Sequence, residues 1–226
     1  MSMLDPRTSL IATLPGVTIR SIVVNGSMAN NVYLITATGT GAQVLIDAAG
    51  DASAIMRLLQ ESTTDAIPPT MVRAIVTTHQ HHDHIGALAT TATFTGAPTC
   101  AGALDAAAIS ADTGVPINRL LQDGDVISVP GLRLGVISVR GHTPGSVVLV
   151  LQVPGEPVQL FVGDDLFPGG IGKTWSDPDF ELLYGDVTSR LFDKFADDTV
   201  VWPGHGLPTT LGTERPHLPE WYARRW

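Results

Sequence analysis

Short runs of β-branched residues separated by turn residues dominate the first fifty positions. Val17-Thr18-Ile19-Arg20-Ser21-Ile22-Val23-Val24 suits a pleated surface. Asn31-Val32-Tyr33-Leu34-Ile35-Thr36 follows, then a turn at Gly39-Thr40-Gly41, then Gln43-Val44-Leu45-Ile46-Asp47, and together these predict a hairpin or meander. Asp51 predicts the N-cap of a helix that carries Ile55, Met56, Leu58 and Leu59 and closes before Pro68-Pro69. The apolar run Ala74-Ile75-Val76-Thr77-Thr78 predicts a buried strand that leads directly into His79-Gln80-His81-His82-Asp83-His84.

The remainder alternates in the same way. Small residues predict helices over 85–92 and 102–110. Strands are predicted over 125–129 and 132–139, joined at Pro130-Gly131, and over 146–153 and 158–163, the last ending at Asp164. Leu182, Leu183, Val187, Leu191 and Phe195 recur at helical spacing, predicting an amphipathic helix over 180–195. Thr199-Val200-Val201-Trp202 is the last strand and delivers Pro203-Gly204-His205-Gly206. Strands and helix, then strands and helix again, predict two mixed β/α halves packed into one domain over 1–226. A tail from about residue 211 carries Trp221, Tyr222 and Trp226, for packing on the body or for a dimer contact.

Composition narrows the function classes. With 44% hydrophobic and 15% charged residues, the chain is globular rather than disordered. A net charge of -9 repels phosphate backbones, and the one tight basic pair, Arg224-Arg225, reads as a solvated end. Nucleic acid is therefore disfavoured as a partner and a small-molecule substrate is expected. Cys100 is the single cysteine, so no internal disulfide exists, and its apolar surroundings mark it as a buried filler. The opening MSMLDPRTSLIATLPGV reads as neither a signal peptide nor an anchor, and no apolar run is long enough to span a bilayer, so a cytoplasmic protein is expected.

The histidines change the picture most. A divalent metal needs imidazole, carboxylate or thiolate donors, and one cysteine excludes a thiolate cluster. His79 and His81, two apart at a strand end, can aim at one ion, while Asp83 and His84, after the chain turns, can face a second. His142, Asp164 and His205 each follow a strand and lie beside glycine, where loops held by a rigid sheet collect sites. Asp165, beside Asp164, reads as solvated or supporting, and His217 has no motif partner.

In order, H-x-H-x-D-H at His79–His84, G-H-T-P-G-S at Gly141–Ser146, G-D-x-L-F at Gly163–Phe167 and P-G-H-G at Pro203–Gly206 resemble the metallo-β-lactamase superfamily, from about residue 17 to about 210. The resemblance implies an α+β fold, a four-layer αβ/βα sandwich of two mixed β-sheets flanked by helices, with metals at one edge of the sheets. It implies that His79, His81 and His142 hold one ion, that Asp83, His84 and His205 hold the other, and that Asp164 bridges them.

Two such ions lower the pKa of bound water towards about 7, giving a nucleophile for an ester-like carbonyl. Asp83 is the candidate catalytic group, orienting the nucleophile and passing on a proton. Two divalent ions per chain are expected, zinc foremost, with iron or manganese also compatible with the donors. Asp164, where the best-known β-lactamase branch uses cysteine, resembles the glyoxalase II-like thioesterases. Alternatives are a mononuclear iron persulfide dioxygenase, which would use His79, His142 and Asp164, and a lactonase, against which Phe167 argues. Lys173, after the Asp164 loop, is the candidate cation for a substrate carboxylate.

Overall fold

A computed structural model of the chain describes residues 9–225. The start of the N-terminal stretch and Trp226 lie outside the described residues. The first half supplies β1 (Leu10–Leu14), β2 (Val17–Val24), β3 (Asn30–Ala37), β4 (Ala42–Ile46), β5 (Met71–Thr77), β6 (Thr99–Gly102) and β7 (Arg119–Leu121). These form a seven-stranded sheet in that spatial order. Helices α1 (Ala52–Glu61), α2 (Leu88–Thr95) and α3 (Ala106–Thr113) belong to this half.

The second half supplies β8 (Val126–Val129), β9 (Leu132–Ser138), β10 (Val147–Leu151), β11 (Gln159–Gly163), the short ribbon β12 (Leu166–Phe167) and β13 (Gly170–Ile171), then β14 (Val200–Pro203) and β15 (Thr209–Thr210). The six-stranded sheet has the order β15-β14-β11-β10-β9-β8. Helices α4 (Asp177–Val187), α5 (Leu211–Glu214) and α6 (Leu218–Arg224) belong to this half.

Alternation along the strands builds the layers. In β3, Tyr33 and Ile35 face the space between the sheets, where they join Val44, Ile46 and Val76 from the same sheet and Leu149, Phe161 and Trp202 from the other. The intervening Val32, Leu34, Leu45 and Ile75 turn outward beneath Ile55 and Leu58 of α1, Leu88 of α2 and Ile109 of α3. On the far side, Val148, Leu160, Val162 and Val201 lie beneath Phe180 and Leu183 of α4 and Trp221 of α6. Both faces of the central strands are therefore apolar, which is why they read as continuous hydrophobic runs. The result is the expected four-layer sandwich of two mixed sheets between helices.

Several expected elements shift. The helix expected over 85–92 begins only at Leu88, because Gly86 and Ala87 donate their N–H groups to Ala49 and Ala48 across the fold, each at 2.9 Å. Residues 99–102 pair as a strand between β5 and β7, so the helix expected from 102 begins at Ala106. The helix expected over 180–195 starts at Asp177, where the Ser176 side chain caps it, and gives way to a wider π turn over Thr188–Phe192. Asp51 does cap α1, accepting from the Ala54 N–H at 3.0 Å.

At the chain end, Trp221 packs on the body as expected, and Arg224 and Arg225 stay exposed as expected, though each is ion-paired. Arg225 pairs with Glu181 and lies over the Phe180 ring, and Arg224 pairs with Glu220. Cys100 is buried as expected. Among the described residues, no helix is long and apolar enough to cross a membrane.

Candidate metal centre

Strand direction gathers the candidate residues. β4, β5 and β6 run parallel, so Asp47, His79 and Asp105 emerge from or follow the same carboxyl edge. In the second sheet β11 and β14 run parallel, and Asp164 and His205 follow their carboxyl ends. β9 is antiparallel to β10, which is antiparallel to β11, so the loop bearing His142 opens on the same edge. Sites collect at such carboxyl edges because the loops there are free to vary on a rigid frame.

All seven expected residues converge there. One ligand atom each from His79, His81 and His142 lies within 4.8 Å of the others; the same holds for His79, His84 and Asp164, and for Asp83, His84 and His205. His79 Nε2 is 3.0 Å from His81 Nδ1, and His84 Nε2 is 3.2 Å from His205 Nε2. Asp164 stands between the groups, its Oδ1 3.3 Å from His84 Nε2, its Oδ2 3.3 Å from His205 Nε2 and 3.8 Å from His142 Nε2.

The donor chemistry fits cations. His142 Nε2 and Asp164 Oδ1 are buried without a hydrogen bond of good geometry. Nitrogen lone pairs packed 3.0–3.2 Å apart are satisfied pairwise by protons only if some rings donate, whereas divalent cations satisfy all of them together. Backbone space is also reserved: a Cβ on Gly204 would collide with the Asp164 carboxylate and lie 2.6 Å from His84 Cε1.

The electrostatics favour neutral imidazoles on one side and ionised carboxylates between. Burial, with His84 alongside, holds His79 well below the usual imidazole range, and burial also lowers His81 and His142. Burial opposes charge on His84, but hydrogen bonds to Asp164 and Asp47 raise it to about 10. Burial likewise penalises the Asp164 carboxylate, yet His205 and His84 hold it far below the ordinary carboxylate range. Asp83 also stays low despite burial, through the Asn30 side chain and the nearby His84.

Sequence reasoning missed the residues that aim these ligands. Asp47 accepts from Thr78 N at 2.7 Å and Thr78 Oγ1 at 2.8 Å, and its Oδ2 lies 2.9 Å from His84 Nδ1. It does so from a left-handed backbone (φ 56°). Asn30 donates to Asp83 Oδ2 at 2.9 Å, and Met28 O lies 2.6 Å from His205 Nδ1. Asp105 joins the His79–His81 segment to the His142 loop. The available signal was position: Asp47 and Asp105 follow apolar strands as the ligands do.

Other residues fall outside the cluster. His82 is exposed, and His217 pairs loosely with Glu220 in the tail. Asp165 is not solvated: it is 1% exposed, and burial beside the Asp164 charge pushes its carboxyl well above the ordinary range. Lys173 contributes its main-chain carbonyl, 2.8 Å from His142 Nδ1, while its ammonium lies over the Trp175 ring at 4.2 Å.

The metallo-beta-lactamase superfamily profile matches residues 26–205, and the chain belongs to that superfamily. It is similar to hydroxyacylglutathione hydrolase GloC of Haemophilus influenzae, 27% identical over 188 residues, covering 76% of this chain and 83% of that protein. Among solved structures, ETHE1 from Myxococcus xanthus superposes with a TM-score of 0.73 at 27% identity, covering 89% of this chain and 83% of that one. The protein TTHA1623, solved in a di-iron-bound form, superposes with a TM-score of 0.65 at 31% identity, covering 86% and 96%.

Proposed function

We propose that the protein is a dinuclear metal hydrolase that cleaves an ester-like bond, a thioester foremost. The convergence of two donor groups on Asp164 carries this reading. His79, His81 and His142 would hold one ion, and Asp83, His84 and His205 the other, with Asp164 shared. When bound, two divalent ions supply Lewis acidity and activate water near neutral pH.

The chain's own residues supply orientation. Asp47 fixes His84, the Lys173 carbonyl fixes His142 and the Met28 carbonyl fixes His205, so each ring presents its other nitrogen inward. Asp83, ionised and held by Asn30, would orient the attacking water and return a proton to the leaving group. Similarity to GloC supports the thioester over other ester bonds. The single cysteine suits a cytoplasmic setting.

Elemental analysis of protein purified without added metal tests the reading first. About two divalent ions per chain, zinc foremost, are expected, with hydrolysis of thioesters such as S-lactoylglutathione exceeding that of lactones. A single iron per chain, with oxygen consumed in the presence of glutathione persulfide, would transfer the site to mononuclear dioxygenase chemistry.

A further inference from the structure

Beside the metal-ligand cluster lies a groove of about 410 Å³, lined by Leu104, Arg140, His142, Trp175, Asp179 and Leu182 among others. Three of these are large apolar side chains left in water: Leu104 at 68% exposure, Trp175 at 64% and Leu182 at 38%. They come from three separate segments: the loop after β6, the loop after β13, and α4. A single exposed leucine means nothing. Three apolar groups converging on a groove that includes a candidate ligand have the form of a binding site.

The groove is continuous with the site. His142 lines it, and the Trp175 ring stands edge-on to His81, centroids 6.5 Å apart. Near His205, Met28, whose carbonyl meets His205 Nδ1, and Leu207, two residues further along the chain, are also exposed.

Its charges are already engaged. Arg140 gives its Nε and Nη2 to Asp186 at 3.0 and 3.2 Å. The Lys173 ammonium lies on the Trp175 ring, and Asp179 accepts from Ser176 Oγ at 2.6 Å. An anionic substituent entering here would face the Asp179 carboxylate, and Arg140 already shares its charge with Asp186. An uncharged apolar substituent would cover Leu104, Trp175 and Leu182 without that repulsion.

We propose that this groove holds the uncharged aliphatic or aryl end of the substrate, on the acyl side of the scissile bond. The assignment rests on the hydrolase reading for its place in the reaction. It makes the preferred acyl group neutral and apolar, and leaves the thiol or alcohol side to other parts of the site.

Two measurements test it. The first is kcat/KM of the metal-loaded enzyme on thioesters of one small neutral thiol with acetyl, butyryl, hexanoyl and octanoyl groups. Each added methylene that enters the groove should raise kcat/KM about two- to fourfold. In Leu182→Asp and Leu104→Asp, with folding checked by circular dichroism, the hexanoyl-to-acetyl ratio should fall about tenfold. The second is tryptophan fluorescence during titration with a non-hydrolysable thioether bearing a hexyl chain. Trp202 and Trp221 are buried, so in a Trp226→Phe background the saturable change expected should disappear when Trp175→Phe is added.

The two readings fail separately. Binding of the thioether at Trp175 without turnover of any thioester or ester would keep the groove and sink the hydrolase. Thioester turnover independent of chain length, with Trp175 silent, would keep the hydrolase and overturn the groove. A flat series and a silent Trp175 with no turnover would overturn both.

Discussion

Asp105 Oδ1 accepts the main-chain N–H of Gly145 at 2.7 Å, while its Oδ2 accepts from Gln80 N at 3.0 Å and Thr143 Oγ1 at 2.6 Å. One buried carboxyl therefore ties the strand end bearing His79 and His81 to the loop bearing His142. Burial pushes its carboxyl above the ordinary range, and the three donors only partly offset this. In Asp105→Asn, an amide N–H must face donors. Metal affinity should fall about 10- to 100-fold, the usual scale for groups that orient ligands. Competition against a chelator of known affinity measures it, and undiminished affinity would remove Asp105 from this role.

Asp47 acts in the same way on the Asp83, His84 and His205 group. Its Oδ2 receives both Thr78 Oγ1 and His84 Nδ1. Asparagine tolerates the left-handed backbone at this position, so Asp47→Asn should fold. Its single carbonyl oxygen cannot take all three donors, and metal content should drop from about two ions per chain towards about one. Retention of full occupancy would show that His84 is aimed without Asp47.

Gly204 is required by space. A Cβ there would strike the Asp164 carboxylate and crowd His84. Gly204→Ala should displace the shared ligand and cost roughly 1–3 kcal/mol, as overpacking does. Thermal unfolding and metal analysis of the same sample check both effects. A variant with normal metal content and unchanged Tm would contradict the packing.

Acid stability should depend on Asp186. Burial opposes its charge, but hydrogen bonds from the Arg140 side chain and main chain, with the Arg190 charge, hold it below the ordinary carboxylate range. A carboxyl lowered in the native state stabilises fully above its unfolded pKa of about 3.9 and loses that contribution as the pH falls through the native value. Denaturant unfolding from pH 6 down to pH 3 should therefore show a steeper loss for the parent protein than for Asp186→Asn. Parallel curves would show that the Arg140–Asp186 pair contributes nothing to acid sensitivity.

The sequence by itself determined the strand pattern and the donors. Tyr33 and Ile35 alternate with Val32 and Leu34, so β3 had to bury both faces, and that pattern survives without knowledge of any partner strand. The histidines and aspartates announce their chemistry by type and by their place after strands. Two short strands were not legible: β6 is a strand because it pairs with β5, and β7 because it pairs with β6, not because of their own propensity. The start of α2 was set likewise by Ala48 and Ala49, which take the N–H groups of Gly86 and Ala87.

Only the tertiary structure decided which groups aim the ligands. Asp47 lies 37 residues from His84 and Asp105 lies 40 from Gly145, separations across which no local pattern operates. The parallel register of β4, β5 and β6 brings their carboxyl ends to one edge and makes these aspartates neighbours of the site. The apolar groove is of the same kind. Leu104, Trp175 and Leu182 are ordinary residues in sequence, and they face one space only because loops from both sheets and a helix meet beside His142.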